Sequence, residues 1–283
     1  MFEEYDAHRR TSVVRDAAGI ARILSHRDHC VVAKATTPRL AARDYLQRYG
    51  RLFGVRTRHL KTLLRPVGQT PTGAGVEYRM VSAKPQFDLT TVVFHQTYCG
   101  LPVWEAGLSV TIKRRPLRVI GARSTLHSKL ELKRLSKAQA AKLTALDVAT
   151  LAHHLGLAGT VGRNAPLKIN DTRLMIYQHD EARRGRATAP KHRHGRAFRS
   201  GAPTLPLPAV HSTIRDGAHY VVRAVYFSFD FPPVRPLHWV ALIEIETGSV
   251  LLLRPFIDNV TGLVFPADPA TLGGPTADAG NAA

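Results

Sequence analysis

The feature that most constrains this fold is an alternation of apolar with polar or small residues along 102–113, with Val103 as the exception. From Pro102 onwards every even position is apolar, with Trp104, Leu108 and Val110 among them. A period of two is typical of a β-strand that has one face on a core and the other in water. The pattern therefore predicts that Trp104, Leu108 and Val110 are buried together on one face of a strand.

The residues on either side extend this strand into a sheet. A β-branched and aromatic run, Val92–Tyr98, precedes it, and a further apolar run, Leu117–Ala122, follows it. Cys99-Gly100 and Arg114–Pro116 supply turn residues between the runs. The segment Thr91–Ala122 is therefore predicted to form an antiparallel meander.

The same segment resembles a signature of the fungalysin/thermolysin propeptide (FTP) domain. In that signature a glutamine, a tyrosine, a glycine, a proline-valine pair and an aromatic residue stand at fixed spacings. The matching residues here are Gln96, Tyr98, Gly100, Pro102, Val103, Trp104 and Leu108.

A second segment, near the C-terminus, resembles the last hairpin of a PepSY domain, which usually follows FTP in secreted metalloprotease precursors. In that pattern an aromatic strand leads to an acidic residue, a Thr-Gly turn and a second apolar strand. The corresponding residues here are Ile245, Glu246, Thr247, Gly248 and Val250.

The two resemblances imply an α+β protein of two cystatin-like units, each a curved antiparallel sheet packed against a helix. We place the FTP-like unit at 34–130 and the PepSY-like unit at 131–265. An N-terminal extension covers 1–33, and a small-residue tail at 266–283 is expected to be disordered.

Helices are predicted at three places. The apolar spacing of Asp16–His26 indicates a short amphipathic helix, after a loosely ordered stretch at 1–15. Thr37 and Pro38 are typical of an N-cap and a first helical position. The longest predicted helix is Ser136–Leu155, which opens with a capping box.

The chain is strongly basic, with a formal net charge of +19. Part of the excess lies in an Arg-, Gly- and Pro-rich insertion at about 181–208, which has little apolar periodicity and is expected to be mobile. Such a segment could bind a polyanion or dock onto an acidic protein, or could be a solvated loop in a chain with scattered arginine. The candidate polyanion-binding residues are Arg183, Arg184, Arg186, Lys191, Arg193, Arg196 and Arg199.

The sequence offers no metal or cofactor motif. A zinc protease needs two histidines one helical turn apart with a glutamate between them, and no HExxH is present. His153 and His154 are adjacent, so they point in different directions on a helix. His192 and His194 lie among arginines whose charge opposes a cation. We therefore expect no bound metal and no cofactor.

Catalytic signatures are also missing from the sequence. It contains no GxSxG motif, no phosphate loop and no pair of carboxylates placed for acid–base chemistry. Glu105 lies on the polar side of its strand and is expected to be solvated or salt-bridged. The chain is therefore predicted not to be an enzyme.

Cellular location is left open by the sequence. No run approaches the about 18 apolar residues of a membrane helix, so no membrane span is expected. The family that the chain resembles is usually secreted, yet the first residues lack the order of a signal peptide. Cys30 and Cys99, the only cysteines, could pair or remain separate thiols.

The resemblance implies a propeptide-like function. FTP and PepSY domains assist the folding of the attached protease and inhibit it, through a sheet face and exposed strand edges. Since this sequence holds no protease domain, the role would be played in trans on a thermolysin-like protease. The alternatives are a basic structural or adaptor subunit of a larger assembly and a non-specific nucleic-acid-binding module.

Overall fold

The fold is described from a computed structural model. The described residues are 1–6, 10–26, 30–60, 63–64, 75–130, 132, 147–156, 167–185, 205, 207–231 and 234–256.

These residues form an α+β fold that is mostly open sheet with few helices. The helices are α1, Pro38–Tyr49, and α2, Val148–His154. The strands are β1 Phe2–Asp6, β2 Thr11–Arg15, β3 Ala21–His26, β4 Val31–Val32, β5 Val76–Gln86, β6 Leu89–Tyr98, β7 Leu101–Lys113, β8 Arg118–Ser124, β9 Leu167–Gln178, β10 His219–Phe231, β11 Val234–Glu244 and β12 Val250–Phe256.

The twelve described strands form one sheet with two antiparallel parts, which we call the first and the second sheet and which meet at β7. In the first sheet the order is β1-β2-β3-β8-β7-β6-β5, with β4 on β8. In the second sheet the order is β9-β10-β11-β12. The start of β7 pairs in parallel with β9, where Val103 lies opposite Ile176. One strand therefore joins the two sheets.

The predicted meander is confirmed, because β6, β7 and β8 are consecutive antiparallel neighbours. The prediction for Trp104 is wrong. Glu105 has a left-handed φ of 53°, which shifts the alternation of β7 by one residue. Leu108 and Val110 are buried in the first core, whereas half-buried Trp104 packs on the second sheet.

The first core lies between α1 and the first sheet. Thr37 caps the helix by accepting from the Leu40 amide at 3.3 Å, and Pro38 is its first residue, as predicted. Tyr45 and Leu46 are buried against the apolar face of β6 and β7. The helix ends in a short 3-10 turn closed by Gly54, whose φ is +76°.

The N-terminal predictions are wrong. The described residues of 1–15 are not loose, because β1 and β2 pair antiparallel, and Asp16–His26 is not a helix. Asp16 accepts hydrogen bonds from the amides of Ala18 and Ile20, which makes a tight turn into β3. Strand β3 then pairs with β8, so these residues belong to the first sheet.

Strands β10, β11 and β12 of the second sheet carry buried residues on both faces. One face packs on α2, where Leu151 and Leu155 contact Val225 and Phe227. The opposite face holds a separate cluster that includes Leu242 and Leu252. A strand that is buried on both sides is apolar at consecutive positions, as in β12.

The long helix predicted at Ser136–Leu155 is not continuous. Asp147 has an extended backbone and caps α2 by accepting from the Thr150 amide at 2.7 Å, so a new helix begins at Val148. The predicted capping box at Ser136 lies outside the described residues. The predicted stop at Gly156 agrees with its left-handed φ of 67°.

Candidate functional site

The signature residue Gln96 holds the connection that leaves the first sheet. Its side chain is 1% exposed and makes two hydrogen bonds to the backbone of His127. The Gln96 Nε2 group donates to the His127 carbonyl and its Oε1 accepts from the His127 amide, both at 2.9 Å. Gln96 therefore fixes the segment that follows β8 against β6.

The other signature residues of the first segment shape the β6–β7 hairpin. Cys99 and Gly100 have φ values of 49° and 81°, which is typical of a type I′ two-residue turn. Pro102 lies opposite Thr97 in the ladder. These residues, like Gln96, have a structural role in this chain.

Thr247 and Gly248 make the β11–β12 turn. Buried Glu244 accepts from the Thr247 amide at 2.7 Å and from its hydroxyl at 2.8 Å. Gly248 has a φ of 71° and lies so close to α2 that a Cβ atom would stand 2.4 Å from Cε1 of His154. The sequence pattern predicted the turn but not the role of Glu244.

Glu105 links the two sheets through its carboxylate. One carboxylate oxygen accepts from Arg183 at 2.8 Å and the other from Arg254 of β12 at 3.0 Å. The hydrogen bond to Glu105 raises the pKa of Arg183. The Glu105 backbone carbonyl accepts from the Thr125 hydroxyl at 2.6 Å. The salt-bridged state predicted for Glu105 is confirmed.

A cleft of about 820 Å³ lies where the sheets meet, and we name it the junction cleft. Three buried polar atoms of its lining side chains have no hydrogen-bond partner among the described residues: Trp104 Nε1, the Tyr177 hydroxyl and His179 Nδ1. The other ring nitrogen of His179 lies 3.1 Å from a Glu181 carboxylate oxygen. Burial raises the pKa of Tyr177. The cleft offers hydrogen-bonding groups to a polar ligand.

His127 lines the junction cleft and also a second cleft described below. Its Nδ1 lies 2.9 Å from Nε2 of His219, so one of these two ring nitrogens donates a hydrogen bond and the other accepts it. Burial, then the neighbouring His219 and Arg22, lower the pKa of His127 to about 4. His127 is therefore uncharged at neutral pH.

The second cleft, which we name the basic cleft, has a volume of about 780 Å³. It lies between the 3-10 helix Thr57–Leu60, the start of β5 and the connection after β8. Its lining residues are Gly54, Arg56, Arg58, His59, Gly75, Val76, Glu77, Tyr78, Gln96, Tyr98, His127, Ser128, Lys129 and Leu130.

Sequence reasoning missed the basic cleft. Lys129 is far from Arg56 and Arg58 along the chain, and only the fold brings the three together. The one available signal was the short basic run at 56–59, which reads RTRH.

The candidate polyanion residues have different environments. Arg183 is half-exposed and paired with Glu105. Arg184 is buried, and its guanidinium donates to the carbonyl of Val250 at 2.8 Å and to that of Pro208. Glu181–Arg183, at the start of the predicted insertion, form a short 3-10 helix. The remaining candidates, which stay a prediction, lie outside the described residues: Arg186, Lys191, Arg193, Arg196 and Arg199.

Arg184 also seals the outer edge of β12. Besides the bond to Val250, its own carbonyl accepts from the amide of Leu253 at 3.0 Å. A strand edge that is covered in this way cannot accept a further strand at that position.

Metal-ligating groups are few where the structure can be described. Within those residues no cluster of three or more His, Cys, Asp or Glu side chains is placed to hold a metal. His153 and His154 are neighbours on α2, and His192 and His194 lie outside the described residues. Cys30 and Cys99 are both half-buried free thiols. None of the described helices is long and apolar enough to cross a membrane.

Comparison with known proteins adds a distant structural likeness. No family model and no curated protein matches the chain, so the family resemblance remains a prediction. Among solved structures, the C-terminal domain of YpeB from Bacillus megaterium is similar at a TM-score of 0.30 and 11% identity. The alignment covers 90% of this chain and 81% of that one. At that TM-score we draw neither family nor function from the likeness.

Proposed function

We propose that this chain is a non-catalytic protein-binding module of two cystatin-like units, similar in role to the pro-region of a thermolysin-like metalloprotease. One observation carries the proposal. Among the described residues β5 has β6 as its one strand neighbour, and its second half from Val81 to Gln86 is largely exposed, so the first sheet ends there in an edge that a partner strand can reach. An edge of this kind is where a strand of a partner protein adds.

The polar groups between the sheets support binding over catalysis. The carboxylate of Glu105 is engaged by two arginines, and the Thr125 hydroxyl is engaged by backbone. His179 contacts Glu181, and no serine or cysteine is among the described lining residues of the junction cleft. A nucleophile with a neighbouring base, which acyl transfer requires, is not assembled there.

The experiment is an inhibition assay with the intact chain and a purified thermolysin-like protease. We expect inhibition at a near-equimolar ratio, with a modest effect of salt because backbone and shape contacts dominate. Inhibition that needs a large excess of the chain, or that vanishes when salt is raised moderately, would reject the propeptide role.

A second candidate, a structural or adaptor subunit, is favoured by the surface of β1. The side chains of Phe2 and Tyr5 are 54% and 52% exposed, which suits a lasting interface. An adaptor would co-purify with a larger complex and would not inhibit the protease. Affinity purification of the intact chain therefore separates the two functions.

A further inference from the structure

Two turns lie side by side at one end of the first sheet: residues 84–88, which lead from β5 into β6, and residues 113–117, which lead from β7 into β8. We name the two together the turn surface. The Arg114 amide donates to the Asp88 carbonyl at 2.7 Å, and the Arg114 guanidinium donates to the Phe87 carbonyl. Hydrogen bonds between the turns therefore hold them as one surface.

Phe87 is both exposed and strained. Its side chain is 76% exposed, and its φ is +54°. A left-handed backbone is costly for a bulky residue, and Gly or Asn normally takes such a position in a two-residue hairpin turn. Backbone strain of this kind clusters at functional sites. Because the ring is not packed into the core, the fold itself does not account for an aromatic residue at this position.

The turn surface also carries positive charge without a counter-ion. Lys84, Arg114 and Arg115 are exposed, and no ion pair within the described residues involves them. Asp88, the one carboxylate of the two turns, is paired with Lys113 at 3.3 Å. The net charge of the whole chain, +19, acts in the same direction. The turn surface therefore attracts a negatively charged partner.

We propose that the turn surface docks onto an anionic lipid bilayer. Phe87 enters the boundary between the headgroups and the acyl chains, while Lys84, Arg114 and Arg115 contact the lipid phosphates and carboxylates. The inference goes beyond the proposed function, since strand addition uses the backbone edge of β5 and docking uses these side chains.

The turn surface fits a bilayer better than it fits other anionic partners. Neither the junction cleft nor the basic cleft is lined by it, so it does not enclose a small ligand there. A stable protein interface buries about 800 Å² on each partner around an apolar core. Phe87, however, is the one large apolar side chain exposed on the two turns. Single-stranded nucleic acid is bound by successive aromatic side chains along a groove. A fluid bilayer accepts one inserted ring among scattered cations.

The experiment measures co-sedimentation of the intact chain with vesicles of defined composition. One set of vesicles is phosphatidylcholine alone, and in the other about one third of the lipid is phosphatidylserine. Retention on heparin is measured in parallel, because heparin offers negative charge without an apolar layer. We expect the chain to bind the anionic vesicles and to bind the neutral vesicles far more weakly.

Two variants of Phe87 test the inserted ring. Phe87→Gly should bind the anionic vesicles about fivefold or more weakly, because it loses apolar surface. Its free energy of unfolding should be unchanged or higher, since glycine adopts a positive φ without strain, and its retention on heparin should equal that of the wild type. Phe87→Trp should keep vesicle binding within about twofold, and its added emission should shift to shorter wavelength with anionic vesicles only.

A pair of double variants tests the charge. Each basic residue near an anionic surface contributes about fivefold to binding, so Lys84→Gln/Arg115→Gln should lose about twentyfold or more. The control Lys168→Gln/Arg215→Gln removes the same charge from exposed positions in and beside the second sheet. That control should bind the vesicles within about twofold of the wild type.

Four results would overturn the inference. They are equal or absent binding to the two kinds of vesicle, wild-type binding of anionic vesicles by Phe87→Gly, equal losses in the two double variants, and heparin retention that falls with Phe87→Gly as vesicle binding does. The proposed function is judged by protease inhibition. A chain that inhibits the protease without binding vesicles would reject docking alone, and one that binds vesicles without inhibiting would reject the propeptide role alone.

Discussion

The outer strands of the two sheets both lie beside arginines, but the arginines are used in opposite ways. In the second sheet Arg184 is buried on the edge of β12, where it bonds the backbone of Val250 and Leu253. In the first sheet Arg56 and Arg58 stand exposed beside the edge of β5. Arg184 satisfies backbone groups within the chain, whereas Arg56 and Arg58 have no ion pair among the described residues.

This difference teaches that an arginine count does not identify a binding site. A guanidinium that satisfies buried carbonyls is part of the scaffold and is not available to a ligand. An arginine contributes to recognition only when its charge is left without an internal partner beside a surface that a ligand can reach. The predictions below test how different the two edges are.

The largest effect is expected from Arg184→Ala. Because the change leaves the carbonyls of Val250 and Pro208 without their donors, it should lower the free energy of unfolding by about 3 kcal/mol in urea denaturation. The neighbouring variant Arg183→Ala removes a half-exposed guanidinium and should cost less than about 1 kcal/mol. Equal losses in the two variants would mean that the β12 edge does not depend on its seal.

Acid should weaken the junction of the sheets. The pKa of histidine is about 6.5 in an unfolded chain, and the pKa of His127 is about 4 in the folded protein. The unfolded chain therefore binds more protons between those two pH values. The contribution of neutral His127 to the free energy of unfolding is complete above about pH 6.5. It is lost as the pH falls towards 4, by about 1–2 kcal/mol for this partly exposed group.

The other histidines also titrate, so the measurement is the difference between the wild type and His127→Gln. Urea denaturation at pH 7 and pH 4.5 should show a smaller loss of stability in the variant. The gap between Arg184→Ala and Arg183→Ala should be the same at both pH values, since neither arginine titrates there. Parallel pH profiles of wild type and His127→Gln would assign the acid sensitivity elsewhere.

A smaller effect is expected from Glu105→Gln, which tests whether the two edges belong to one cooperative unit. The glutamine removes the carboxylate charge from both arginine contacts. The free energy of unfolding should fall by only about 1 kcal/mol because the carboxylate is half-exposed. High salt should reduce the difference from the wild type. The denaturation should still be a single transition; two separated transitions would show that Glu105 couples the sheets.

The smallest effect on stability is expected from deletion of 187–200. Because Arg184 and its contacts remain, the free energy of unfolding should change by less than about 0.5 kcal/mol. Retention on heparin at low salt should fall, with a shallower dependence on salt, since several arginines are removed. If the deletion variant unfolds, the segment is part of the folded structure that the other residues need. If retention on heparin is unchanged, the positive charge that binds heparin is spread over the whole surface.

The strands of this fold were largely predictable, and the errors have local causes. Around the start of β3 the spacing of Ile20, Ile23 and Leu24 fits a helix as well as it fits a turn followed by a strand. The structure has the turn, which is held by the Asp16 side chain and in which Gly19 has a φ of +77°. The β-branched run of β2 and this aspartate–glycine spacing were the signals that would have predicted a hairpin.

The error at Trp104 has a different origin. Alternation predicts the two faces of a strand only while the register is unbroken, and the left-handed residue Glu105 breaks it. The residue pattern before Gly107 gives no indication that Glu105 adopts a left-handed backbone conformation. The parallel contact of Val103 with Ile176 accompanies the break, and it joins residues that are far apart along the chain.

By itself the sequence determined the local elements: the capped start of α1 at Thr37, the turn at Cys99-Gly100 and the turn at Thr247-Gly248. In each of them the interacting groups are near neighbours along the chain, so residue type and spacing suffice. The tertiary structure alone decided the partners of Glu105, whose two arginines are 78 and 149 residues away. It also decided which arginines are internal and which line a cleft, because charge and exposure at a point in space depend on every strand that passes it.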